Sequence, residues 1–218
     1  MSSPREASSN VSDARETLQA AAIPRSEVPR VLLTGVPKVG KTTLVSRIVS
    51  ELQGSGIVVA GFTTRELREG TERTGFEVET IGGGSAVLAH VAFTDGPRVG
   101  RYRVDVAAFE RIALPALEQA IRSDGVAVID ELGQMELYSS AFVQAVQHLF
   151  AQDVPLVASV HAKAHPVTDA LKRHPGVELL TVTRAAHEEL LARVTARLLA
   201  AQGKAPPPQL RQGSRPGP

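Results

Sequence analysis

The chain has 218 residues, 43% apolar and 22% charged, a mixture that suits one globular domain with tails and argues against wholesale disorder. Its 24 Lys and Arg against 23 Asp and Glu leave a net charge of +1, so no global field recruits nucleic acid or anionic lipid. With no cysteine there is no disulfide framework, thiolate zinc site or cysteine nucleophile, and no apolar run approaches the roughly 20 residues that span a bilayer.

Residues 1–29 mix Ser, Ala and Glu with scattered charge and hold neither a sustained apolar stripe nor a signal core, which predicts a flexible arm on a cytoplasmic protein. The folded unit is expected over 30–201. It opens on the apolar run Val31-Leu32-Leu33, then Gly35-Val36-Pro37-Lys38-Val39-Gly40-Lys41-Thr42, then a helical period over Lys41–Gln53. A second strand is predicted at Ile57-Val58-Val59, with a loop carrying Arg65, Arg68 and Arg73 beyond it. Phe76-Glu77-Val78-Glu79-Thr80 alternates and Gly82-Gly83-Gly84 supplies a turn, so a hairpin is expected within 75–92.

Helical spacing returns over Phe109–Arg122, where Pro115 should kink or restart the helix because it lacks the donor and clashes one turn back. The strand Val126-Ala127-Val128-Ile129 ends on Asp130-Glu131. Beyond it come a helix over Ser140–Ala151, the strand Leu156-Val157-Ala158 with His161 just past its end, and a short helix over Val167–Arg173. A last strand, Leu179–Val182, precedes a helix over Ala185–Ala201. The prolines of 202–218 deny a helix its donors and predict a disordered tail. Continuous rather than alternating apolar runs fit strands buried on both faces, so the expected fold is a three-layer α/β sandwich with a mostly parallel central sheet and an inserted β-hairpin.

The segment Gly35 to Thr42 fits G-x-x-x-x-G-K-[ST] at every fixed position, between a strand and a helix. The loop of Gly35, Val36, Pro37, Lys38, Val39, Gly40, Lys41, Thr42 and Thr43, through its backbone amides and the positive end of the helix, would form a cradle for phosphate oxygens. Lys41 then places a point charge on the β- and γ-phosphates, and the Thr42 hydroxyl is set to ligand Mg²⁺. Asp130 supplies the acid expected at the end of a second strand, holding Mg²⁺ through a water or polarising Thr42. Glu131 projects differently and can orient and deprotonate water over the γ-phosphate.

Residues Asp130-Glu131-Leu132-Gly133-Gln134-Met135-Glu136-Leu137 resemble the Asp-Glu-Ile-Gly-Lys-Met-Glu-Leu signature of the small THEP-type nucleoside-triphosphatases. Gly61-Phe62-Thr63-Thr64-Arg65-Glu66-Leu67-Arg68 is similar to that family's Gly-Phe-Tyr-Thr-x-Glu-x-Arg segment, and Gly75-Phe76 and Gly100 to Asp105 follow in order. The resemblance spans roughly 30–198. It implies a P-loop fold of the RecA-like kind and Mg²⁺-dependent hydrolysis of several nucleoside triphosphates, ATP and GTP among them. Carried over by position, Gly35 to Thr42 bind phosphate, Asp130 serves the metal and Glu131 activates water. Two departures stand out: Gln134 replaces the family's Lys, and Thr183-Arg184-Ala185 replaces its Asn-Arg-Asp, leaving Arg184 as the carried-over nucleotide contact. Lys38, where Gly is commoner, is a candidate to compensate for the missing lysine.

Arg65, Arg68 and Arg73 are candidates to reach phosphate or act as an arginine finger, and His161 to sense the γ-phosphate or the attacking water. Phe76 and Tyr102 are candidates to stack on a base, with core packing the stronger expectation. Two rivals use the same loop: a nucleoside or nucleotide kinase, and a nucleotide-dependent binding module with slow, partner-stimulated hydrolysis. A carboxylate directly after the strand acid favours water over an acceptor. The expected partners are nucleoside triphosphates, with no membrane; nucleic acid is disfavoured but left open, and a monomer is expected.

Overall fold

The computed structural model describes residues 28–204. The arm expected over 1–29 and the tail over 202–218 lie outside the described residues, except for 28–29 and 202–204. At that boundary Gln202 Nε2 donates to the Gly125 carbonyl at 3.2 Å, and Lys204 Nζ to the carbonyls of Ser55 and Gly56 at 2.8 and 3.0 Å.

Among the described residues nine strands form one sheet: β1 Arg30–Thr34, β2 Val59–Glu69, β3 Glu72–Thr80, β4 Ser85–His90, β5 Arg98–Val99, β6 Tyr102–Val104, β7 Val126–Leu132, β8 Leu156–Val160 and β9 Val177–Thr181. Their order is β5-β6-β4-β3-β2-β7-β8-β1-β9. Neighbours from β2 through β9 run parallel, whereas β3, β4, β6 and β5 add an antiparallel extension. The sheet is therefore mixed, which corrects the expectation of a mostly parallel sheet with a hairpin inserted in it. The reason lies in β2. Its residues Val59 to Phe62 pair with β7, and Phe62 to Glu69 continue on to pair with β3. The stretch read as a loop bearing Arg65 and Arg68 is strand, and Arg73 stands on β3. Its charges mimic a solvated loop because this part of the sheet is covered incompletely.

Five α-helices of the described residues flank the sheet: α1 Lys41–Gly54, α2 Val106–Arg122, α3 Ser140–Phe150, α4 Pro166–Lys172 and α5 His187–Ala201. Alternate strand residues enter two cores. Val31, Leu33, Val126, Val128 and Val157 meet α1 and α5 through Leu44, Ile48, Leu191 and Leu198. Leu32, Ala127, Ile129 and Ala158 meet α2 and α3 through Phe109, Leu117, Phe142 and Leu149. Burial on both faces is why these strands read as unbroken apolar runs. None of the described helices is long and apolar enough to cross a membrane.

Three local expectations shift. Ile57 and Val58 precede β2 rather than form it; the Ile57 amide donates to the Leu52 carbonyl and caps α1, while the Val58 carbonyl accepts from Val126. Pro115 does not break α2, which runs unbroken to Arg122. The proline is exposed, and Ala113, Ala116, Leu117 and Ala120 keep the opposite face on the sheet. Helix α5 starts at His187, after a 3-10 turn over Arg184–Ala186 whose Ala186 amide is capped by the Thr183 hydroxyl.

Candidate functional site

The site lies at the C-terminal ends of β1, β7 and β8. The loop from Gly35 carries β1 into α1. Lys38 and Gly40 take left-handed φ values of 64° and 102°. A Cβ at Gly40 would come within 2.6 Å of the His187 ring, and one at Gly35 within 2.9 Å of the Val182 carbonyl. His187 Nε2 stands 3.1 Å from the Val39 carbonyl, so α5 braces the loop from behind. Helix α1 starts with no side-chain cap and no acid in its first turn. Its first amides and positive dipole end are thus left to an anion.

Asp130 is fully buried. The Ser159 hydroxyl donates to its Oδ1, while Oδ2 has no hydrogen-bond partner. Burial pushes this carboxyl above its ordinary value, against the pull of Ser159, the nearby Thr42 side chain and the Lys41 charge. Glu131 lies shallower, its side chain 33% exposed, with Oε1 3.7 Å from Lys41 Nζ. Burial raises its pKa as well; Lys41 opposes the rise and Asp130 adds to it. The β7–β8 register breaks between Ile129 and Leu132, where both carboxylates sit.

A cleft of about 740 Å³ opens over these groups. It is lined on one side by Gly35, Pro37, Lys38 and Gly40 to Thr43, and on the other by Thr64, Arg65, Glu66, Arg73 and Phe76, with Glu131, His161 and Lys163 between. Arg65 is held by Glu79 at 2.6 Å and by Glu77. Arg73 donates to Glu66 at 2.6 Å and to the Tyr102 hydroxyl at 2.9 Å, and lies over the Phe76 ring. Arg68 is outside the cleft lining and pairs with Glu66. Tyr102 is buried against Phe76, ring edge to ring face. His161 has a buried Nε2 without a partner, and burial, then the Lys172 charge, lowers its pKa, so the ring is neutral at pH 7.

Arg184 does not join this cleft. It lines a separate hollow of about 450 Å³ with Val36, Pro37, Lys38, Val39 and Thr181 to Thr183, so Pro37 and Lys38 border both spaces. Gln134 is exposed and lines neither. Sequence reasoning passed over four contributors: Ser159, Lys163, His187 and the buried Glu136. Ser159 had a signal, a single polar residue inside the apolar run of β8.

Residues 30–195 match the model of the family described as NTPase. The nucleoside-triphosphatase THEP1 of Methanothermobacter thermautotrophicus is 36% identical over 165 residues, covering 76% of this chain and 93% of that protein. The cancer-related nucleoside-triphosphatase of Homo sapiens is 37% identical over 174 residues, covering 74% and 92%. The crystal structure of THEP1 from Aquifex aeolicus superposes with a TM-score of 0.71 at 35% identity, covering 78% of this chain and 98% of that one.

Proposed function

This chain belongs to the NTPase family, and from that membership we propose that it hydrolyses nucleoside triphosphates to the diphosphate and phosphate in the cleft between the 35–42 loop and β2–β3. The observation that carries the reading is the meeting of an uncapped helix start, Lys41 and the half-buried Glu131, with 3.7 Å between the last two.

In this reading the amides from Gly35 to Thr43 and the Lys41 ammonium hold the phosphates. Phosphate competes with Glu131 for Lys41. As the ammonium turns to phosphate, its lowering effect on Glu131 weakens and the carboxylate becomes a stronger base. Glu131 then orients water and takes its proton, while His161, neutral at pH 7, lies close enough to the cleft to share in placing that water. Arg65, already paired with Glu77 and Glu79, shapes the far wall, and Arg184 borders the hollow that we assign to the base and ribose.

The residues present fit Mg²⁺: the Asp130 Oδ2 is buried with no partner, and the Thr42 hydroxyl lies beside the same carboxyl. Thr42 and Asp130 would hold it. When bound, the ion neutralises charge on the phosphates. The order β2-β7-β8-β1-β9 sets one strand between the loop strand and the Asp130 strand, and on that order we read the fold as the RecA-like kind of P-loop NTPase.

The kinase alternative is not favoured, since the relatives carry nucleoside-triphosphatase names. The test is phosphate release from ATP, GTP, CTP and UTP with Mg²⁺ and no acceptor. Steady release from several bases is expected; negligible release despite tight binding would turn the reading to a kinase lacking its acceptor or a partner-activated switch.

A further inference from the structure

Gly133 begins the turn that follows the two site carboxylates, and the side chain folded under it is Glu136. Only 5% of Glu136 is exposed, and its Oε2 accepts the Gly133 amide at 3.1 Å. A Cβ at Gly133 would stand 2.8 Å from that oxygen and 3.7 Å from the Glu131 carboxyl carbon. Glu131 and Glu136 therefore close on one Cα.

The rest of the turn is fixed from the other end. Leu137 donates to the Gly133 carbonyl at 3.2 Å, and Ser139 to the Glu136 carbonyl at 3.1 Å. The Ser139 hydroxyl caps α3 through Phe142 and donates to Glu110 of α2 at 2.6 Å. Glu136 alone among the side chains of this turn bonds back toward the end of β7. An apolar residue could fill the same space without the desolvation cost of a carboxyl, but it could not hold the amide.

We infer that Glu136 is a positioning residue for Glu131: its carboxyl pins the Gly133 amide and so fixes the end of β7 on which Glu131 stands. The inference rests on the reading of Glu131 as the base. A carboxyl here serves only if it adds no second charge beside Glu131. Burial pushes Glu136 up to about 8; Glu131 and Asp130 add to the rise, and the amides of Glu136 and Gly133 oppose it. The groups around it are Glu131 and Asp130 on β7, Glu110 on α2 by way of Ser139, and Tyr138 in the same turn, while the first turn of α3 brings no acid. At pH 7 the carboxyl is protonated.

The sign follows from the raised value. The folded chain keeps a proton that the unfolded chain gives up at the ordinary carboxylate range, so this group's contribution to stability is complete below that range and is lost as pH rises to about 8. Above about 8 a buried carboxylate repels Glu131 and loosens the turn.

The experiment compares the full chain with Glu136→Gln, Glu136→Leu and Glu131→Gln, reading kcat and KM for ATP with Mg²⁺ from pH 6 to 9.5, and the urea midpoint of the nucleotide-free proteins over the same range. Glu136→Gln keeps an acceptor for the amide, so kcat at pH 7 stays within about threefold, while the fall in kcat near pH 8 disappears and the decline of the midpoint with pH becomes shallower, Asp130 and Glu131 keeping their own part of it. Glu136→Leu lowers kcat by about tenfold or more with KM little changed, the mark of a misplaced base. Parental kcat in Glu136→Leu, or a parental alkaline fall in Glu136→Gln, overturns the inference; if the leucine variant does not fold, the glutamine profile decides. An inactive Glu131→Gln beside a fully active Glu136→Leu defeats the positioning role alone, whereas parental turnover in Glu131→Gln defeats the base assignment and this inference with it.

Discussion

The two walls of the cleft are built on opposite electrostatic terms. On the loop wall, groups at the end of β7 and the start of α1 are left unmet by the fold: Lys41 at a loose 3.7 Å from Glu131, an Asp130 oxygen without a partner, and an uncapped helix start. On the β2–β3 wall the charges satisfy one another, Arg65 with Glu77 and Glu79, Arg68 and Arg73 with Glu66. A wall with unmet electrostatic demand is poised for a charged ligand; a wall of closed ion pairs gives shape and modest potential.

Gly61 packs on β7 one residue before Phe62, where β2 passes from its parallel to its antiparallel partner. With φ at 125° and a Cβ placed 2.0 Å from the Val128 carbonyl, Gly61→Ala should destabilise the chain by roughly 4 kcal/mol or more, read by urea denaturation. A parental midpoint would show that the seam tolerates displacement. Lys41→Ala should next lower nucleotide affinity by about 100-fold or more in calorimetry, because it removes charge-assisted bonds to phosphate at the start of α1. Unchanged affinity would move the phosphate site off the loop. Arg65→Ala should do least. Its side chain is 56% exposed and its guanidinium already paired, so affinity and turnover should change by less than about fivefold. A hundredfold loss of turnover would instead place it on phosphate as an arginine finger.

The same contrast governs what could be read before the structure. Val31-Leu32-Leu33 and Val126 to Ile129 were legible as central strands because both their faces are buried, and the 35–42 turn between strand and helix because its glycines and Lys41 sit at fixed spacing. Past Phe62, β2 carries Arg65, Glu66 and Arg68; the partners of Arg65, Glu77 and Glu79, and Arg73, which meets Glu66, lie on β3, so local composition imitates a loop. His187 braces the loop from 148 residues away, a contact with no local signature. Glu136 was visible as a letter in a familiar stretch; its role depends on burial and on one hydrogen bond to Gly133. Arg184 was carried over from the family's motif as a nucleotide contact, and the structure sets it in a hollow separate from the cleft, beside Val36 to Val39.

The central claim is that Asp130 and Glu131, adjacent in sequence and unequal in depth, divide metal binding from water activation. It is tested most directly by Glu131→Gln, measuring ATP affinity by calorimetry and phosphate release in a single turnover with Mg²⁺. The account predicts affinity within a few-fold of the parent and release slowed by at least about 10², the scale of a general base. Release at the parental rate would contradict it and move water activation elsewhere in the cleft, with His161 the next group to remove.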